Sequence, residues 1–161
     1  MSIRKKPWNR VNSPVYSLVT KGADGFNMNI CTYVTAVSMK PKRYMVAVYE
    51  GTKSLDNMKG SEEAVLQLLE KSQYKLVNYL GKKSGKTTKK LKHLTSKGLI
   101  KEWEGFPVLQ DCLAVLKLKI LQTLPGGDHV CFICDLETYK NLNSGKPLDV
   151  DYLREKNIVR M

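Results

Sequence analysis

The spacing of apolar positions changes several times along this chain. Val15, Ser17 and Val19 fall on one face of a short extended segment, which a Gly-Ala-Asp-Gly turn at 22–25 closes. Residues 28–38 are rich in β-branched and aromatic types with partial alternation, which predicts a strand. Lys40-Pro41-Lys42 interrupts the pattern. Tyr44 to Tyr49 is then almost continuously apolar, which predicts a strand buried on both faces. After a turn at Glu50-Gly51, Ser54 is placed to cap a short helix running through Met58. A second helix is predicted from Ser61: Glu62 and Glu63 suit its first turn, and Ala64, Val65, Leu68 and Leu69 form a stripe at helical spacing. Tyr74 to Leu80 reads as strand again.

Residues 81–98 form a polar connection rich in lysine, with a helix from about Thr87 to Ser96 on which Leu91 and Leu94 share a face. Over 107–122 the chain reads as one long β stretch, with Leu116, Leu118 and Ile120 alternating against Lys117 and Lys119. A Pro125-Gly126-Gly127 turn leads into a strand from His129 to Cys134, and the last segment fits either a short helix or an extended tail. Many strands, few short helices and regular turns predict a mainly β protein, a barrel or sandwich with flanking helices. No Gly-x-Gly-x-x-Gly follows a strand, so a dinucleotide-binding Rossmann fold is not supported.

Length and composition fit one soluble domain over residues 1–161: 161 residues, 42% hydrophobic and 26% charged, with no internal repeat and no long linker. No apolar stretch follows the basic Met1–Pro7 segment, and no apolar run is long enough to span a bilayer. The expectation is a cytoplasmic protein with no membrane segment. The four cysteines, Cys31, Cys112, Cys131 and Cys134, then read as free, partly buried thiols.

Charge changes the picture more. The formal net charge is +12, which favours anionic partners. From Lys71 to Lys101 there are ten lysines and no acidic residue. Such a run is ordinarily a solvated face. With Tyr74, Tyr79 and Trp103 around it, nucleic-acid binding is a second reading. A third is a phosphate site at Lys82 to Thr88, where lysines, hydroxyls and Gly85 lie together.

Other chemistry has little support. Cys131-x-x-Cys134 lies in a strand pattern, where residues three apart face opposite ways and cannot easily chelate one ion, so no metal is expected. No Gly-x-Ser-x-Gly elbow is present. His93, on the lysine-rich helix, reads as surface. His129 sits between a Gly-Gly-Asp turn and a strand, where ligand-facing side chains are often mounted.

Taken in order, these pieces resemble the flavin reductase-like family with the FMN-binding split β-barrel. Pro14 to Thr20 is similar to the family's first strand, and Asn27 to Ser38 to its second, followed by a proline turn at Met39-Lys40-Pro41. Tyr44 to Tyr49 and Thr52 to Met58 resemble the third strand and the flavin-facing turn. Leu76 to Leu80 resembles the strand after the helix, and Leu80 to Lys86 the Ser-Gly-basic loop. Gly127-Asp128-His129 matches a Gly-Asp-His turn. The likeness spans about residues 12–137, read here as the domain core. The chain departs from the family at Thr87, where an acid is usual, at Lys89, and at Lys40 in place of a first proline.

The resemblance implies that Asn27, Cys31, Thr32 and Tyr33 lie along the flavin, and that Lys53 and Ser54 meet its ribityl or phosphate part. Ser84, Lys86 and Lys90 would come from the basic loop and helix. His129 would approach the flavin or a bound nicotinamide, and is the one catalytic candidate. The implied activity is an FMN-binding NAD(P)H-dependent flavin oxidoreductase, with FAD as an alternative cofactor and NADH or NADPH as the transient donor. A homodimer and a downstream electron acceptor are the implied partners. A non-enzymatic electron carrier of the same fold is the competing reading. A basic nucleic-acid-binding barrel ranks below both, because it leaves the strand motifs and Gly127-Asp128-His129 unexplained.

Overall fold

The computed structural model describes residues 6–160. Its strands are β1 (Tyr16–Gly22), β2 (Gly25–Cys31), β3 (Val34–Met39), β4 (Lys42–Tyr49), β5 (Glu63–Leu68), β6 (Ile100–Trp103), β7 (Phe106–Leu109), β8 (Ala114–Pro125) and β9 (His129–Asn141). The helices are short: α1 (Lys53–Lys59), α2 (Leu76–Lys82), α3 (Lys90–Ser96) and α4 (Val150–Glu155). β6 and β7 make a separate hairpin. The other strands form one antiparallel sheet in the order β2-β1-β5-β8-β9-β4-β3. Its two outermost strands, β2 and β3, are separated in the chain only by Thr32 and Tyr33. So short a link keeps the two edges close and curls the sheet into a barrel, yet no ladder joins them. The result is a split β-barrel, mainly β with short flanking helices, as expected.

Two cores follow from this curl. Leu18, Val46, Val48, Leu66, Leu118, Phe132 and Cys134 fill the barrel, and Leu55 and Met58 of α1 pack onto them. Outside the wall, Val19, Val65 and Val115 pack against Val77 and Leu80 of α2, Leu94 of α3, Val108 of β7 and Leu153 of α4. β1 and β5 are therefore buried on both faces. Their ladder makes two sets of buried polar groups meet. Gln67 Nε2 donates to Ser17 Oγ at 3.2 Å, and Gln67 Oε1 accepts from the Leu109 backbone N–H at 2.6 Å. Asn57 Nδ2 of α1 donates to Thr20 Oγ1 at 3.1 Å inside the barrel end.

The double burial explains the main corrections. Residues from Ser61 do not form a helix: Glu63–Leu68 is strand β5, in register with β1 and β8. Ala64, Val65, Leu66 and Gln67 are all buried, so the run carries no readable period, and the stripe that looked helical was an accident of spacing. Tyr74 to Leu80 is not a strand, although both its pattern and the family likeness predict one. A Glu70–Gln73 capping box opens a 3-10 turn at Lys71–Lys75, and α2 follows. The buried positions Gln73 of the turn and Val77 and Leu80 of α2 are four and three apart, the helical interval.

Smaller differences have local causes. The strand expected over 28–38 is two, broken at Thr32-Tyr33 where the chain crosses between sheet edges. The stretch 107–122 also divides, into β7 and β8. The short helix after Gly51 is present, but Thr52 caps it: its Oγ1 accepts from Leu55 N–H at 3.2 Å, and Ser54 is buried instead. In β4 only Val46, Ala47 and Val48 are fully buried, and Tyr49 is exposed. α3 starts at Lys90 rather than near Thr87, and the final segment includes the short helix α4, capped by Asp149.

Gln67→Leu would leave the Leu109 N–H and the Ser17 hydroxyl buried and unpaired. A loss of about 1–3 kcal/mol in urea unfolding is expected.

Candidate functional site

The split in the barrel is where a cleft forms. Its volume is about 530 Å³, and β2, the end of β4, the start of α1 and the loop after α2 enclose it. β2 serves as its ruler. Alternation along an extended strand turns Asn27, Asn29 and Cys31 the same way. From Asn27 to Cys31 the strand covers about 13 Å, and Thr32 and Tyr33 carry the chain on towards β3. The cleft therefore has two chemically distinct ends.

The end near Asn27 is polar and basic. Asn27 Nδ2 donates to Ser54 Oγ at 2.9 Å, which ties β2 to the first turn of α1. Gly85 presses against the same carboxamide, and a Cβ at that position would overlap it. Lys53, Lys82, Lys83, Ser84 and Lys90 line this part. In the loop, Ser84 Oγ accepts from the Lys86 N–H at 3.2 Å, and Thr88 N–H donates to Ser84 O at 2.9 Å. The loop is thus a closed turn that presents Ser84 and Gly85 to the cleft. Lys53 Nζ pairs with Asp24 at 2.8 Å, and its hydrogen bond holds the Asp24 carboxyl below the usual range.

The end near Tyr33 is aromatic. His129 pairs with Tyr49 across β9 and β4. Its ring lies 4.9 Å from that of Tyr33 and 5.2 Å from that of Tyr49. Tyr33 and Tyr49 are both exposed. His129 Nδ1 is 2.7 Å from Asp128 Oδ1. A carboxylate only accepts, so Nδ1 carries the hydrogen and donates it to Asp128.

Lys90 is the least ordinary of these groups. It is buried, with 4% of its surface exposed, yet it carries no carboxylate partner among the described residues. Its Nζ donates to Met28 O at 3.1 Å and to Leu80 O at 2.6 Å. The first is a carbonyl of the outermost strand β2, and the second belongs to the last turn of α2, where carbonyls lack helical partners. Burial lowers its pKa from 10.5 to about 8.

The structure thus brings nine of the ten expected residues into one cleft: Asn27, Cys31, Thr32, Tyr33, Lys53, Ser54, Ser84, Lys90 and His129 all line it. Lys86 does not. It lines a neighbouring cavity and pairs with Asp56 at 3.3 Å. Lys90 reaches the cleft wall, but its ammonium is engaged by backbone carbonyls. Cys31 is a buried thiol, with desolvation pushing its pKa up to about 12, so it is a wall and not a nucleophile. All four cysteines are free. Cys134 lies in the barrel core and Cys131 on the other face of β9, as strand alternation requires. His93 is exposed, and Tyr79 packs against it.

Sequence reading missed Asn29 and Tyr49, while Lys82 and Lys83, which also line the cleft, belong to the segment it offered as a phosphate site. Asn29 could have been found, because it sits two residues from Asn27 on a strand. Its Oδ1 is buried and has no partner. Tyr49 becomes part of the site only through the β4–β9 pairing, which joins it to His129.

The chain matches the family model described as the flavin reductase like domain over residues 8–155. No curated protein matches. Among solved structures it is similar to an FMN-binding protein from Thermus thermophilus, crystallised with 1-cyclohex-2-enone, at 16% identity and TM-score 0.76, over 91% of this chain and 83% of that one. It is also similar to an NADH:FAD oxidoreductase of Streptomyces globisporus, at 16% identity and TM-score 0.78, over 88% and 83% of the two chains. A third is the styrene monooxygenase flavin reductase of Pseudomonas putida, at 19% identity and TM-score 0.72, over 86% and 85%.

The Lys90 geometry has a consequence for stability. Below pH 8 folded and unfolded chains both hold the proton, and only the folded one bears the burial cost. As pH rises from about 8 towards 10.5 the folded state releases it first, so stability rises across that window. In urea unfolding at a series of pH values, Lys90→Met is expected to lack this rise.

Proposed function

Because the chain belongs to the flavin reductase like family, we propose that it is an FMN-binding oxidoreductase that passes electrons from NADH or NADPH to flavin. One observation carries the reading: a single cleft with an aromatic end at Tyr33, Tyr49 and His129 and a cationic end at Lys53, Lys82 and Lys83. A flat heterocycle with a phosphate tail matches that division. The residues present fit the group. Asn29 Oδ1 is a buried acceptor without a partner, suited to an N–H donor. The absence of a side chain at Gly85 leaves Asn27 on Ser54 and keeps the basic end open.

When bound, the flavin supplies the redox chemistry, taking hydride from the nicotinamide. The chain's own residues bind and align. Lys53, Ser54 and Ser84 hold the phosphate end through charge-assisted hydrogen bonds. Cys31 and Thr32 line the middle. Tyr33 and Tyr49 offer the nicotinamide an aromatic floor beside the flavin. His129, its Nδ1–H fixed on Asp128, lines the same space. Lys90 acts indirectly, by pinning β2 to α2.

The same reading places the protein in the cytoplasm, where its four free cysteines stay reduced. No helix among the described residues is long and apolar enough to cross a membrane. The reading also includes a homodimer, supported by exposed apolar side chains on and beside β3: Tyr33, Val37 and Met39, the last 90% exposed. A further partner is the acceptor that takes electrons from the reduced flavin.

Purified protein mixed with FMN and passed through a desalting column should retain flavin absorbance, and anaerobic NADH or NADPH should bleach it. Retained flavin that neither nucleotide bleaches would favour an electron carrier. Gly85→Ala, which displaces Asn27, should weaken FMN binding about tenfold by fluorescence titration. Sedimentation should give twice the mass of 18.3 kDa.

A further inference from the structure

A second cavity, of about 360 Å³, lies beyond the cationic end of the cleft. The two share Asn27, Lys53, Gly85 and Lys90 as a common wall. Five lysines line this annex, Lys53, Lys86, Lys89, Lys90 and Lys92, against one carboxylate, Asp24. Asp24 is occupied by Lys53, and Lys86 by Asp56 outside the annex. Lys89 and Lys92 are exposed and have no carboxylate within ion-pair distance among the described residues. A concave surface of one sign concentrates anions well beyond what scattered lysines do.

Lys90 adds an independent indication. Its ammonium is buried under both cavities with only carbonyl dipoles for company. A buried cation without a counter-ion is costly, and a bound anion would offset that cost. Gly85 is the gap through which the cavities adjoin, because any side chain there would overlap Asn27.

We propose that the annex binds the second phosphate of a dinucleotide, the adenylate half of FAD or of a nicotinamide dinucleotide, with Lys89 and Lys92 as its outer ligands. The proposal rests on the flavin reading of the adjoining cleft. It accounts for lysines that a single phosphate in the cleft does not use. It also separates two tasks: the cleft holds the ring and first phosphate, and the annex distinguishes a dinucleotide from a mononucleotide. The shared chemistry is a pyrophosphate, whose second phosphate lies one P–O–P link beyond the first and leads to adenosine, and either nucleotide carries it.

The test uses the full chain and a Lys89→Gln, Lys92→Gln double variant, whose substitutions are on the surface. Affinities are measured by calorimetry for FMN against FAD, and for NADH and NADPH against reduced nicotinamide mononucleotide. The expected result is that at least one dinucleotide binds the native chain about tenfold more tightly than its mononucleotide, and that the double variant loses this margin while mononucleotide affinity holds. Loss for FAD assigns the annex to the flavin, and loss for the nicotinamide dinucleotides assigns it to the donor. Equal affinities in the native chain, or equal weakening of mono- and dinucleotides in the variant, would overturn the proposal. A chain that binds neither flavin would sink the flavin reading alone, and the nicotinamide comparison would still decide the annex.

Discussion

The sheet ends at β2 on one side and β3 on the other, and the two residues between them in the chain keep these edges together. They lie close without sharing a ladder, so β2 keeps backbone groups that need partners. Most of the site follows from how they are found. α1 meets the strand through Ser54 and Asn27. Lys90 reaches in from α3 and takes the Met28 carbonyl, with Leu80 O of α2 as its second acceptor. The elements that cover the open edge are therefore those that build the cleft.

This arrangement puts a positive charge where a hydrophobic plug would have been simpler. An aliphatic side chain at Lys90 would leave two buried carbonyls unsatisfied, each a cost of order 1–3 kcal/mol. The ammonium satisfies both but loses hydration, and its lowered pKa registers that loss. An anion in the adjoining space would relieve it. One side chain thus holds β2, α2 and α3 together and adds positive charge to the basic end of the cleft.

The aromatic end is built differently. Tyr49 and His129 meet because β4 and β9 pair in that register, and Tyr33 joins them from the crossing between β2 and β3. No helix contributes. A rigid ladder fixes the rings that would face a flavin or nicotinamide, while a turn-rich loop supplies the basic end. That division suits a protein whose chemistry belongs to its cofactor, since the chain's task is alignment.

The sequence by itself determined the mainly β class and the turns at 22–25 and 125–127, and through its resemblance to a family it named nine of the residues that line the cleft. Gly127-Asp128-His129 and the Ser84-Gly85 loop carry turn signals, which act over a few neighbours, whereas the place of Asn27 was implied by the resemblance. It did not determine β5 or α2. Ala64 to Gln67 is buried on two faces by partners far away in the chain, so its local pattern cannot separate strand from helix. Tyr74 to Leu80 is helical because Val77 and Leu80 face a core that β1 and β5 create. Only the tertiary structure decided which lysines belong to the cleft. The ten lysines of the 71–101 run look alike in sequence, but folding buries Lys90, sends Lys86 to Asp56, and leaves Lys82 and Lys83 on the wall. The physical reason is that a charge's role depends on burial and on the partners that reach it, and both are properties of distant contacts.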